Sequence, residues 1–139
     1  MEDLRRRLDE FIGLVESGRS IEAMQRFYAE DVMMFENREL SRAGREACIA
    51  YEMEQVEKSG RPQLKATKRA ADSHTGVSFI EWVVQFRSPS TGRPIRLEEV
   101  AVQKWANGEI IEERFYYEGV IDQGDEADEA DETDEALAG

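Results

Sequence analysis

Trp105-Ala106-Asn107-Gly108-Glu109-Ile110-Ile111-Glu112-Glu113-Arg114-Phe115-Tyr116-Tyr117-Glu118 is the stretch that decides the fold. Asn107-Gly108 sits between two apolar-polar runs. Asn and Gly both accept the positive φ angles of a type I′ turn, so the pair predicts a tight hairpin. One arm of that hairpin runs back through Ile95–Trp105 and the other forward through Glu109–Tyr117. Upstream, the turn-rich segment Ser88-Pro89-Ser90-Thr91-Gly92-Arg93-Pro94 joins Ile95–Trp105 to a strand at Val77–Phe86. Ser73-His74-Thr75-Gly76 marks a third turn, preceded by a strand at Leu64–Asp72. Four strands joined by short turns predict an antiparallel meander.

The grammar before Leu64 is helical. Leu4, Leu8, Phe11, Ile12 and Val15 recur at spacings of three and four, one stripe of an amphipathic helix. Gly18 ends it, and Ser20 is placed to cap a second helix whose inner side holds Ile21, Met24, Phe27 and Tyr28. Val32-Met33-Met34-Phe35 reads as a short buried strand, followed by a polar loop from Glu36 to Arg42. Gly44 opens a third helix with Ile49, Met53 and Val56 facing inward, closed by Gly60 and Pro62. Three helices ahead of one long antiparallel sheet argue for an α+β domain over 1–121.

The chain has 139 residues and a net charge of −13, but the charge is unevenly placed. From Asp122 to Gly139 there are nine acids and no base, leaving 22 acids and 18 bases, a net of −4, in residues 1–121. Residues 122–139 therefore read as a disordered, solvated acidic tail. Its repeated Asp-Glu triplets lack the alternating ligands and central glycine of a calcium loop. Such a tail could dock a basic partner or simply aid solubility. Arg5-Arg6-Arg7 and Lys65–Arg69 are short basic clusters without a dominant field, so no nucleic-acid partner is expected. No apolar run approaches the roughly 20 residues of a membrane helix. The N-terminus lacks the apolar stretch of a secretory signal, and a cytoplasmic, membrane-free protein is the expectation. Cys48 is the only cysteine, which precludes an internal disulfide.

Three stretches carry a family resemblance: Phe27–Glu36, Gly44–Ile49, and the Trp105–Glu118 hairpin quoted above. Together they resemble the nuclear-transport-factor-two-like superfamily, in its SnoaL-like branch. The resemblance implies a curved, cone-shaped antiparallel sheet wrapped around a long helix, with a mostly apolar pocket. It further implies pairing of two copies through the outer sheet face, hence a homodimer. Function does not follow from such a superfold, which hosts isomerases, cyclases, hydrolases and binding modules.

A proton-transfer group in that pocket needs a poorly solvated carboxyl. Glu36 is the first candidate, because it follows the apolar strand where the steroid-isomerase branch carries its acidic residue. The correspondence stops there. The first helix offers Phe11 and Ile12 where that branch has a phenol, and Ala101 stands where it has a donating acid. Glu36 read blandly is a solvated loop carboxylate. Alternation puts Glu99, Ala101, Gln103, Glu113, Phe115 and Tyr117 on the concave side, although a one-residue slip would invert the set. Cross-strand ion pairing is the alternative role for these acids. With Tyr28 and Trp82, the residues Glu99, Gln103, Glu113, Phe115 and Tyr117 are the candidate ligand-binding set. His74, the single histidine, is a weaker candidate base and equally a loop histidine. One histidine and one cysteine give no zinc set, and no metal or cofactor is expected. The leading expectation is a module binding a small hydrophobic ligand; the alternative is an isomerase, cyclase or lyase using carboxylate acid–base chemistry.

Overall fold

A computed structural model describes residues 3–122. The expected acidic tail falls outside the described residues from 123 onward. The elements run α1 (Leu4–Glu16), α2 (Ser20–Phe27), β1 (Tyr28–Glu36), β2 (Glu39–Ala43), α3 (Arg45–Ser59), β3 (Gln63–Asp72), β4 (Val77–Arg87), β5 (Pro94–Ala106), β6 (Glu109–Tyr116) and β7 (Val120–Asp122). The sheet order is β2-β1-β6-β5-β4-β3, with β7 paired to β5.

The β3-β4-β5-β6 meander lies where the turn signals put it. Asn107 and Gly108 take φ 53° and 81°, as a type I′ turn requires. The Gly108 carbonyl then accepts from Arg7 Nε at 3.0 Å and from a terminal nitrogen at 2.6 Å, tying the hairpin to α1.

The N-terminal half departs from expectation in several ways. The expected loop Glu36–Arg42 contains a tight turn at Asn37-Arg38 and the strand β2. Asn37 takes φ 54°, a left-handed conformation that Asn tolerates, and this lets the seven-residue stretch double back rather than wander. β1 is nine residues long, not four, and it alternates: Val32 and Met34 are buried while Met33 is 41% exposed. It pairs parallel with β6, so the sheet is mixed rather than wholly antiparallel. Tyr28 opens β1 instead of lying on α2. Ser20 does not cap α2; its hydroxyl donates to Glu52 on α3 at 2.8 Å. β7 had no counterpart in the pattern, because three residues carry too little periodicity to register.

The largest correction concerns which helix fills the concave side. Leu4, Leu8, Phe11, Ile12 and Val15 of α1 are all buried, and α1 packs on β3. Burying side chains of this size stabilises by about 1.5–3 kcal/mol each. Phe27 extends this core, meeting Phe11 and Trp105 edge-on with ring centres 5.8 and 6.1 Å away. In α3, by contrast, Met53 is 56% exposed, Ile49 and Val56 are only partly covered, and Cys48 is the one buried residue. The helix at the heart of the curved sheet is α1, and α3 closes the side.

Candidate functional site

Between α1, α3 and the concave face of the sheet lies a cavity of about 380 Å³. Apolar side chains from all layers form most of its wall, including Phe11 and Val15 of α1, Trp82 and Val84 of β4, and Phe115 of β6. The polar groups converge in two clusters.

The first cluster is buried. Ser78, Gln103 and Glu113 sit opposite one another on β4, β5 and β6. Directly paired residues share a face, so their side chains meet. Trp105 Nε1 donates to Ser78 Oγ at 2.8 Å, and Ser78 Oγ donates to Gln103 Oε1 at 2.7 Å. Gln103 Nε2 donates to Glu113 Oε2 at 2.6 Å, and the Tyr28 hydroxyl donates to Glu113 Oε1. Burial pushes the Glu113 carboxyl up from its ordinary value, while the Tyr28 and Gln103 donors act the other way. Burial, and then the neighbouring Glu113, push the Tyr28 phenol well above its usual range.

The second cluster lines the rim. Tyr117 donates to Glu36 Oε1 at 2.5 Å. Arg42 and Ser41 reach Glu36 Oε2 at 3.3 and 3.2 Å. The Arg42 guanidinium also lies over the Tyr51 ring, 3.7 Å from its centre. Asn37 holds the two strand ends in register: its N–H donates to Phe115 O at 2.8 Å and its side-chain oxygen accepts from Tyr117 N at 3.1 Å. Burial alone would raise the Glu36 carboxyl, but the Tyr117, Arg42 and Ser41 contacts outweigh it and hold the group below its ordinary value. The Glu36 bond in turn pushes the Tyr117 phenol up to about 12.

Glu99 stands between the clusters. It points the same way as Ala101 and Gln103, pairs with Trp82 across β4, and lines the cavity. Its carboxyl makes no hydrogen bond or ion pair with any described residue. Burial first, then the charges of Glu113 and Glu36, raise its carboxyl to about 8. A carboxyl in that state donates or accepts a proton near neutral pH.

The structure therefore gathers Tyr28, Glu36, Trp82 and Glu99 around one cavity with Glu113, Phe115 and Tyr117. Gln103 is fully buried behind Glu113. His74 does not join them; it is exposed in the β3–β4 turn, where its backbone N–H donates to Asp72 at 3.0 Å. The pattern reading missed Arg42, Tyr51, Glu52 and Gln55. Cys48, Tyr51, Glu52 and Gln55 follow helical spacing, so this mixed stripe was visible as an alternative inner face of α3. Arg42 had no signal, since it lay in an expected loop. Among the described residues, no group of three or more His, Cys, Asp or Glu side chains could hold a metal ion, and no helix is long and apolar enough to cross a membrane.

Three helices against a curved mixed sheet, with carboxyls lining the cavity between them, define the class as a small α+β domain. The chain belongs to the SnoaL-like domain family, whose pattern it matches over residues 8–113. Among solved structures, it is similar to a candidate SnoaL-like polyketide cyclase from Mesorhizobium loti, with 22% identity, TM-score 0.68, and coverage of 82% of this chain and 98% of that one. It is also similar to a candidate polyketide cyclase from Xanthomonas campestris pv. campestris, with 20% identity, TM-score 0.69, and coverage of 82% and 89%. A third is SalBIII, an epoxide hydrolase/cyclase-like enzyme of pyran ring formation in salinomycin, with 16% identity, TM-score 0.69, and coverage of 85% and 95%. No curated protein matches the sequence. At these identities the likeness carries the fold.

Proposed function

We propose that this protein is a small-molecule isomerase or cyclase in which Glu99 exchanges a proton with a hydrophobic substrate held in the cavity. The observation that carries the reading is the Glu99 carboxyl: facing the cavity, without a hydrogen-bond partner among the described residues, and raised to about 8. A strongly perturbed acid in a cleft is the usual mark of acid–base work. Glu36 suits that work less well than its place in the sequence suggested. It is tied to Tyr117 and Arg42 and held in its ionised form, which makes it a weak base. Its charge instead helps raise Glu99. The cyclase and epoxide hydrolase/cyclase names of the similar structures are compatible with proton transfer to or from an oxygen or an acidic C–H.

The test is turnover. A panel of small enolisable ketones and epoxy alcohols is offered to the purified protein, with products followed by mass spectrometry. Glu99→Gln is expected to lower turnover of any converted substrate by about 10²–10⁴-fold, the usual worth of a general acid or base. Glu36→Gln is expected to retain measurable turnover. Undiminished turnover by Glu99→Gln removes Glu99 from the mechanism.

A second reading, a module that binds a small hydrophobic ligand without converting it, is favoured by one observation. Both cavity phenols with mapped partners, Tyr28 and Tyr117, already donate to carboxylates, so neither is free to stabilise an oxyanion. Saturable stabilisation by panel members that are never converted supports it. We also propose a homodimer through the outer sheet face. Phe79, Val100 and Tyr116 lie there, 45%, 38% and 51% exposed, with Val100 directly opposite Tyr116. Sedimentation at micromolar concentration checks this, and Val100→Lys with Tyr116→Lys should give monomers.

A further inference from the structure

We propose that Ser78 and Gln103, anchored by the Trp105 indole, are positioning residues that hold Glu113 as a double hydrogen-bond acceptor and so leave Glu99 as the cavity carboxyl that exchanges its proton. The inference rests on the acid–base reading and assigns the division of labour between the two cavity acids, Glu99 and Glu113.

The chain of bonds begins at Trp105. An indole N–H only donates. Ser78 Oγ accepts that bond at 2.8 Å, and its single proton is then left for Gln103 Oε1 at 2.7 Å. With its oxygen thus committed, the Gln103 amide must present Nε2 to Glu113, at 2.6 Å. Rotating the amide by half a turn would leave the Ser78 proton without its acceptor and aim Oε1 at a carboxylate oxygen. Both faults occur where every member is buried, so the penalty is that of unsatisfied polar groups in a dry site. Trp105 is core to the fold and packed on Phe27, which fixes the polarity of the whole chain.

Glu113 therefore receives one donor on each oxygen, from Gln103 and Tyr28. Glu99, on the same sheet face, receives none from the described residues. Two acids in one cavity that differ in this way titrate apart, with the one that accepts the hydrogen bonds ionising first. The remaining groups around the pair do not reverse the order. Tyr28 and Glu36 approach from β1, Arg42 from β2, Cys48, Tyr51 and Glu52 from α3, and Tyr117 from the end of β6. The only cation among them, Arg42, is bonded to Glu36.

The test is a titration of the glutamate side-chain carboxyls by ¹³C NMR, without ligand, in wild type, Gln103→Leu and Ser78→Ala. Gln103→Leu strips one donor from Glu113, which then keeps its proton to higher pH. The high-pH step should pass from Glu99 to Glu113, and the Glu99 midpoint should fall by about one to three units, the usual effect of a neighbouring charge. Ser78→Ala frees the amide to rotate and should move Glu99 the same way by less. A Glu99 midpoint unmoved in both variants overturns the proposal; should Gln103→Leu fail to fold, Ser78→Ala decides alone. A wild-type Glu99 that titrates as an ordinary carboxyl defeats the acid–base reading itself, which separates the two failures.

Discussion

Tyr28, the first residue of β1, donates its hydroxyl to Glu113 of β6, 85 positions later, inside a cavity floor where both side chains are almost fully buried. A buried carboxyl that loses a donor bears the desolvation cost of the orphaned oxygen, about 1–3 kcal/mol. Tyr28→Phe should destabilise by that amount in urea unfolding at neutral pH. The sign with pH follows from linkage. Glu113 is already raised in the folded state, and losing Tyr28 raises it further. The unfolded carboxyl is the same in both proteins, so the extra loss of stability is absent while Glu113 holds its proton in both folded states and grows as pH rises through its raised folded-state value. The Tyr28→Phe deficit should thus be larger at neutral pH than in acid.

Glu99 gives a second pH-dependent expectation. Its carboxyl sits at about 8 in the folded protein against an ordinary 4.5. The folded state keeps a proton that the unfolded chain sheds across that interval. Stability is therefore fully present below about 4.5 and is lost as pH rises toward 8, on the order of a few kcal/mol. Glu99→Gln removes the penalty. The variant should gain melting temperature relative to wild type at pH 9 and little at pH 4, as scanning calorimetry can show.

Helix α1, rather than α3, carries the core, and paired truncations measure it. Leu8 is wholly buried, while Met53 is 56% exposed. Leu8→Ala should cost about 2–5 kcal/mol, as large-to-small core changes do. Met53→Ala should stay within about 0.5 kcal/mol, as surface changes do. Chemical denaturation of the two variants side by side checks the contrast.

Much of this was legible in the chain, and the gaps have physical causes. The β-hairpin at Asn107-Gly108 and the strand alternation put Glu99, Gln103 and Glu113 on one face, because a two-residue turn fixes register and register fixes the face. The α1 stripe was legible because every third or fourth residue is apolar. Helix α3 misled because its apolar residues, Ile49, Met53 and Val56, do not line the cavity, which takes the mixed stripe of Tyr51, Glu52 and Gln55 instead. A helix that supplies polar groups to a cavity wall does not need a wholly apolar inner face, so hydrophobic periodicity points the wrong way there. β2 hid inside a polar stretch: an edge strand with mostly exposed side chains has no apolar alternation to show. The pull of Arg42 and Tyr117 on Glu36 was invisible for the same reason, since it depends on that hairpin folding back. Local pattern placed Glu36 next to the site, and only the tertiary contacts distinguish its tied, ionised carboxylate from Glu99, whose carboxyl has no partner among the described residues.

The carboxyl of Glu99 in the wild-type protein is the most direct test of the account. Site-resolved ¹³C NMR titration of the ligand-free protein should place its midpoint near 8, several units above a solvated glutamate, with Glu36 titrating below its ordinary value. A Glu99 that ionises at the same pH as glutamates on the protein surface would contradict the assignment of this cavity to acid–base chemistry.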